Sequence, residues 1–236
     1  MAGRGSRFET AGYSLPKPLI PIHGVPMAVR AIRSLGLKDA KFYILINSTL
    51  ENTDLVQQIT NEVDATVQSI DYVTDGATCS AMLFDKFVNT DEELVIANCD
   101  QIMEWNSEIF LLNARQYDGC IVTYYATTEH NSYATINQHG IVTKVKEKEV
   151  ISNISLNGIH YWKKGSYFVE SARAMMAAND RAPNGEFYIA PTYNYMINSS
   201  LNVGIYHIPN EQHHNVGLPA DLESFIQYER TKYGIT

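Results

Sequence analysis

Three short apolar runs, separated by stretches patterned as helix, constrain this chain more than any other feature. Phe-Tyr-Ile-Leu-Ile at 42–46, Leu-Val-Ile-Ala-Asn at 94–98 and the run 119–125 have the length and composition of buried strands. Residues 51–63, 78–87 and 107–116 between them carry helical patterning. Strands alternating with helices make βαβ units, which predicts an α/β fold with a mainly parallel sheet. The stretch 133–161 breaks that rhythm. Tyr-Ala-Thr-Ile-Asn, Gln-His-Gly and Ile-Val-Thr-Lys-Val read there as a hairpin, followed by a β-rich run at 153–162. Further helices are expected at 164–179, 187–199 and 219–232, with the turn-forming residues 179–185 as a loop. No repeat, low-complexity tract or linker divides residues 1–236, so a single domain is expected.

A chain of 236 residues, 45% hydrophobic and 19% charged, can bury one sizeable core. Its net charge of −8 argues against nucleic acid as a partner, which demands a basic footprint. No apolar run approaches the ~20 residues of a membrane span and no signal peptide is visible, so a cytoplasmic protein without a membrane partner is expected. Cys79, Cys99 and Cys120 are an odd, widely spaced set that suits reduced thiols in that compartment.

Residues 2–18, Ala-Gly-Arg-Gly-Ser-Arg-Phe through Leu-Pro-Lys-Pro, carry the chemistry of an anion site. Gly3 and Gly5 let the backbone take positive φ and bring its N–H groups close to a ligand. With Ala2 and Ser6 they can line a nest for phosphate oxygens. Arg7 can fork onto a phosphate, whereas Lys17 offers a point charge. Pro16 and Pro18 restrict the backbone around Lys17, which lowers the entropic cost of presenting it. Two glycines alone would be a turn beside a solvated lysine. The full set points to a nucleoside triphosphate.

In these residues, and in later segments taken in order, the chain resembles the nucleotidyltransferases that make sugar nucleotides. The resemblance covers nearly the whole chain and is closest to a subgroup found in capsule and surface-polysaccharide pathways. It implies a Rossmann-like, GT-A-type α/β fold: a mostly parallel central sheet flanked by helices, with a small β-rich acceptor subregion. Residues 1–125 would mainly bind nucleotide and 126–236 mainly acceptor. The implied reaction couples a nucleoside triphosphate to a sugar 1-phosphate or related phosphate, releases pyrophosphate and uses magnesium. Relatives carry a short apolar strand before the equivalent of Ala2-Gly3. Here the sequence begins at Met1, so either that strand lies upstream or the sheet lacks it.

Asp100 closes Ala-Asn-Cys-Asp at a strand's carboxyl end, the edge where open α/β sheets bind ligands. A hard carboxylate there can hold magnesium. Alone it would be a turn aspartate; it matches the family's metal aspartate. Asp75, Gly76, Ala77 and Thr78 precede a helix. Thr78 is placed to cap it, and Gly76 permits close approach to a flat base. In the family this segment reads the nucleobase, and the same analogy favours a pyrimidine.

Lys146-Glu147-Lys148 occupies the place of the family's Glu-Lys pair, where Glu147 and Lys148 would face the sugar phosphate. If extended, Lys144, Lys146 and Lys148 instead share one solvated strand face. Asn157-Gly158 resembles the acceptor-binding turn, or else forms a bulge within a strand. Glu186 would accept hydrogen bonds from acceptor hydroxyls, or stabilise a helix N-terminus. Asn215-Val-Gly-Leu-Pro-Ala-Asp-Leu resembles the family's Gly-Thr-Pro-x-Asp-Leu element. Leu218 replaces its threonine, and Asn215 stands where many members place a second metal-binding aspartate. An amide oxygen can still ligate magnesium. Asp221 reads as a helix-start residue.

The histidines form no zinc pattern, and no Gly-x-Ser-x-Gly nucleophile is present. A phosphate acceptor, with a second pKa of about 6, needs no general base at neutrality. The expected partners are therefore a nucleoside triphosphate and a phosphorylated small molecule, with a homo-oligomer left open. Three rivals remain: a cytidylyltransferase for a non-sugar phosphate, a glycosyltransferase of similar fold, and a nucleotide-binding regulatory module without catalysis. Asp100-Gln101-Ile102 lacks the Asp-x-Asp that such glycosyltransferases commonly show.

Overall fold

The computed structural model describes Met1 and residues 6–234. Along the chain come α1 (Ser6–Thr10), β1 (Pro21–Ile22), β2 (Val25–Pro26), α2 (Met27–Leu35), β3 (Phe42–Asn47), α3 (Leu55–Glu62) and β4 (Ala65–Ile70). Next are α4 (Ala77–Met82), α5 (Asp85–Val88), β5 (Leu94–Ile96), β6 (Gln101–Met103), α6 (Ser107–Ala114), β7 (Gly119–Tyr125), β8 (Ser132–Ile136) and β9 (Val142–Glu147). The last are β10 (Ile154–Trp162), α7 (Gly165–Ala177), α8 (Thr192–Asn198), β11 (Val203–His207), β12 (His213–Asn215) and α9 (Pro219–Tyr233). These elements fall into two compact units. One comprises 1–73, 98–107 and 211–236, the other 74–97 and 108–210.

In the first unit β3, α3 and β4 form the expected βαβ, paired in parallel from Phe42↔Ala65 to Asn47↔Ile70. Helix α2 buries Met27, Ala28, Val29, Ala31, Ile32 and Leu35, and stops at Gly36, whose φ of 63° suits the left-handed cap. Phe8 of α1, Ile20, Ile22, Ile102, Val216, Leu222 and Phe225 close one apolar cluster. That packing anchors the segments on both sides of Lys17. Strand β12 runs antiparallel to β6 with Asn215 opposite Gln101. Helix α9 has Pro219 at its start, Asp221 in its first turn, and Arg230 and Lys232 in its last. Both ends match the helix dipole.

In the second unit the sheet order is β11-β7-β10-β8-β9, with β5 also on β10. The α/β class is borne out. β7 and β11 pair in parallel, whereas β10 is antiparallel to β5, β7 and β8. Strands β5, β7, β8 and β11 therefore share one direction, and β10 runs against them between β5 and β7. Strands β8 and β9 form the expected hairpin. Trp162 and Tyr193 stack at 5.0 Å in the core, and the Tyr193 hydroxyl donates to the carbonyls of Cys120 and Tyr161.

Three expected helices differ in extent. The one over 51–63 begins only at Leu55, after a 3-10 turn at Ser48–Leu50. The one over 78–87 is two short helices, because i→i+3 bonds from Leu83 and Phe84 tighten the turn between them. The one over 187–199 begins only at Thr192. The Phe187 N–H and carbonyl are engaged with Asp75 and Thr78, so they cannot enter a helix.

Candidate functional site

The described candidate residues divide between the units, and each group has its own geometry. Ala2, Gly3 and Gly5 lie outside the described residues. Ser6 and Arg7 are exposed on α1, and the Ser6 carbonyl accepts from the Thr10 hydroxyl.

In the first unit Lys17 sits on a short 3-10 turn opened by Pro16. Its ammonium donates to Asp100 Oδ2, with the two side chains 20% and 24% exposed. The Asp100 carbonyl accepts from Val216 N–H at 2.9 Å, and the β6–β12 ladder continues beside it. Asn215 Nδ2 donates to Asp221 Oδ2 at 3.2 Å, while its Oδ1 accepts from Gly217 N–H at 2.9 Å. A Cβ at Gly217 would stand 2.6 Å from Asp100 Oδ2 and 2.9 Å from Asn215 Oδ1. Two hard oxygens therefore converge on one spot that only glycine leaves open.

This donor set fits magnesium, which takes one or two carboxylate or amide oxygens and keeps waters and phosphate oxygens for the rest. Among the described residues no cluster of three His, Cys, Asp or Glu side chains has metal-binding geometry. Burial pushes His213 down to about 4, with His214 adding to the effect and Asp100 opposing it. His213 is therefore uncharged at neutral pH.

In the second unit Gly76 precedes α4 at φ 117°, a conformation that suits glycine. Thr78 lies inside that helix, fully buried, with its hydroxyl unpartnered. It does not cap the helix, because Gly76 is the N-cap and the helix starts at Ala77, two residues earlier than a Thr78 cap would require. Glu147 ends β9, and its carboxylate accepts from the Ser132 hydroxyl. Burial raises its pKa and nearby Glu186 adds to the rise, against the opposing pull of Ser132 and Lys148.

Lys148 takes φ 54°, so it leaves the strand and does not share a face with Lys144 and Lys146. Its ammonium lies 4.4 Å over the Tyr188 ring and donates to the Tyr188 hydroxyl, which also accepts from Asn184 Nδ2 at 2.9 Å. Asn157 and Gly158 form the bulge where the β10 register shifts. Gly158 is at φ 93° and Asn157 Oδ1 accepts from Ile159 N–H at 2.9 Å. Glu186 precedes Thr192 by too far to stabilise the start of α8.

The structure thus groups Glu147, Lys148 and Glu186, and adds Tyr188, Asn184 and Ser132, to which sequence reasoning gave no role. Tyr188 and Asn184 flank Glu186 in the sequence, a proximity that could have drawn attention to them. Gly217 was legible only as part of a longer element.

A lysine–aspartate pair on a turn and just before β6, held by main-chain contacts, suits enzymes that handle phosphates. The chain belongs to the nucleotidyl transferase family, whose model matches residues 1–203. It is a nucleotidyltransferase. No curated protein sequence matches it significantly.

Solved structures that share its fold include the following three. A nucleoside-diphosphate-sugar pyrophosphorylase from Vibrio cholerae RC9 superposes with a TM-score of 0.85 at 20% identity, over 96% of this chain and 98% of the other. A Bacillus anthracis protein assigned as a glucose-1-phosphate thymidylyltransferase gives 0.78 at 18% identity, over 97% and 92%. The inositol-1-phosphate CTP transferase of T. maritima gives 0.74 at 14% identity, over 100% and 95%. Among the described residues no helix is long and apolar enough to cross a membrane.

Proposed function

We propose that this nucleotidyltransferase joins a pyrimidine nucleoside triphosphate to a sugar 1-phosphate and releases pyrophosphate, using magnesium. The product would be a cytoplasmic precursor of a surface polysaccharide. The observation that carries the proposal is the Lys17–Asp100 pair beside Asn215 Oδ1 at Gly217. Each member of that pair can exchange its partner for part of a magnesium–triphosphate complex, so charge is conserved on binding. The pyrimidine assignment is supported by two of the fold neighbours, the B. anthracis thymidylyltransferase and the T. maritima CTP transferase. The polysaccharide role is supported by the motif resemblance.

An oxygen of the acceptor's phosphate attacks the α-phosphorus in line, a P–O bond forms, and the bond to pyrophosphate breaks on the opposite side. The anionic acceptor needs no general base. Lys17 and Arg7 neutralise charge that grows on the phosphates, while Ala2, Gly3, Gly5 and Ser6 supply backbone donors. Asp100 with Asn215 would hold magnesium, which supplies charge neutralisation for the triphosphate when bound. The segment 75–78 receives the base. Lys148, Glu147, Glu186 and the Asn157-Gly158 bulge orient the acceptor, so that catalysis is mostly positioning.

A non-sugar phosphate acceptor is the second reading, favoured by the T. maritima neighbour, whose acceptor is inositol 1-phosphate. One experiment tests both. Pyrophosphate release is measured with magnesium, each nucleoside triphosphate, and sugar 1-phosphates or other phosphate esters in turn. Release that depends on a sugar 1-phosphate and a pyrimidine triphosphate is the expected result. Release only with non-sugar phosphates selects the second reading, and no acceptor-dependent release rejects both.

A further inference from the structure

Arg181 is the side chain on which two candidate segments of the second unit meet. It lies in the loop 179–185, to which the proposed reaction assigns no role. Its Nη1 donates to Asp75 Oδ2 at 3.1 Å and to the Gly185 carbonyl at 2.7 Å, and its Nε donates to Asn179 Oδ1 at 2.8 Å. The guanidinium also lies over the Phe187 ring, with Cζ 4.1 Å from the centroid. Only a planar fork of donors can make these contacts and stack at once, and lysine cannot replace it.

The main chain makes the same connection. Phe187 N–H donates to the Asp75 carbonyl at 2.7 Å, and Thr78 N–H donates to the Phe187 carbonyl at 3.0 Å. A Cβ on Gly76 would stand 2.5 Å from that Phe187 oxygen. Segments 75–78 and 185–188 are therefore one hydrogen-bonded body. Beyond Phe187, the Tyr188 hydroxyl accepts from Lys148 and Asn184.

Asp75 is 66% exposed, and an ion pair that open contributes little stability. The backbone bridge holds the segments together without it. What the arginine adds is a route by which occupancy of one segment biases the other.

We propose that Arg181 is a positioning residue that couples nucleotide binding at 75–78 to the arrangement of the acceptor segment 184–188. The inference rests on the reading that these segments face the two substrates. Nucleotide bound beside Asp75 fixes the guanidinium, which fixes Phe187 and Gly185, and so presents Glu186 and the Tyr188–Lys148 pair. The coupling is reciprocal, with a factor of about 5–150 typical of linked sites.

Hydrogen–deuterium exchange on the full chain tests it, using magnesium with CTP, UTP or dTTP and no acceptor. In the native protein a triphosphate is expected to slow exchange at 75–80 and also at 184–188. In Arg181→Ala the protection at 75–80 remains and that at 184–188 is lost. Arg181→Lys does not restore it. Asp75→Ala, which removes the acceptor at the other end of the link, gives the same loss at 184–188. In steady-state assays Arg181→Ala raises the acceptor KM about tenfold with kcat little changed. Its nucleotide affinity no longer responds to acceptor.

Protection confined to 75–80 in the native protein overturns the proposal, as does equal protection at 184–188 in native and Arg181→Ala proteins. Rescue by Arg181→Lys also overturns the role given to the fork. No protection with any of the three triphosphates overturns the coupling. Acceptor-dependent pyrophosphate release from the same preparation would leave the proposed reaction standing.

Discussion

The two units hold their candidate charges by different means. In the first, the main chain does the fixing: Pro16 opens the turn of Lys17, the Asp100 carbonyl accepts from Val216, and the β6–β12 ladder sets Asn215. The charges there are already matched, Lys17 to Asp100. In the second, side chains fix one another from loops and a strand end. Ser132 holds Glu147, Tyr188 and Asn184 hold Lys148, and Arg181 spans 75 to 185. A backbone-set charge pair suits the triphosphate, which is chemically the same in every nucleotide. Side chains on loops suit the acceptor, because loops accept substitution without loss of the frame.

The largest effects should come from the backbone-set pair. Lys17→Ala or Asp100→Ala is expected to lower kcat by about 10²–10³, the scale for losing a transition-state contact. The double variant should cost little more than either single one, since the two side chains act as a unit. Pyrophosphate release reads the activity, and unchanged circular dichroism confirms the fold. Near-normal turnover in both single variants would remove the distinction between the units.

Two glycine substitutions sharpen the contrast. At Gly217 a new Cβ meets the ends of two side chains, Asp100 Oδ2 at 2.6 Å and Asn215 Oδ1 at 2.9 Å. Those side chains can move aside, so Gly217→Ala should leave melting nearly unchanged. A displaced carboxylate should nevertheless lower kcat by about 10²-fold, since a misplacement near 1 Å has that cost. At Gly76 the Cβ meets the Phe187 backbone oxygen at 2.5 Å, and φ is 117°. No rotamer relieves either problem. Gly76→Ala should therefore cost about 1–3 kcal/mol of stability and lower the melting temperature by about 5 °C. A Gly217→Ala protein that unfolds early, or a Gly76→Ala protein that melts normally, would reverse the assignment of rigid and adaptable parts.

The legible and illegible features divide along the same line. The α/β class and the β8–β9 hairpin follow from local composition, which a single sequence displays, whereas Asp100 was expected to close a strand and instead stands four residues past β5, just before β6. The late start of α8 does not, because Phe187 commits its N–H and carbonyl to Asp75 and Thr78, partners far away in sequence. Lys148 looked like a strand residue, since alternation with Lys144 and Lys146 carries no sign that φ turns to 54°. Arg181 is one of 18 lysines and arginines, and only the folded chain shows which carboxylate it meets. Asp100 and Asn215 were proposed as metal ligands from motif order, whereas the closeness of both to Gly217 shows only in the folded chain.

Glu147 gives the smallest expected effect. Burial moves its carboxyl above the ordinary carboxylate range, Glu186 adds to the rise, and Ser132 and Lys148 oppose it. Because folding raises this pKa, the folded state binds more protons than the unfolded chain between the two values. Stability therefore falls as pH rises from the unfolded carboxylate value through the folded one. Acceptor binding runs the other way, since only the ionised group can accept from a hydroxyl with full strength. The acid limb of kcat/KM for the acceptor should lie above the ordinary carboxylate range. Glu147→Gln should flatten that limb and raise the acceptor KM about tenfold, the loss expected for one charged hydrogen bond. It should also remove the fall in stability over the same pH window, read by denaturant titration. An acid limb that survives in Glu147→Gln would move the titrating group off this carboxylate and onto the acceptor's own phosphate, whose second pKa is about 6.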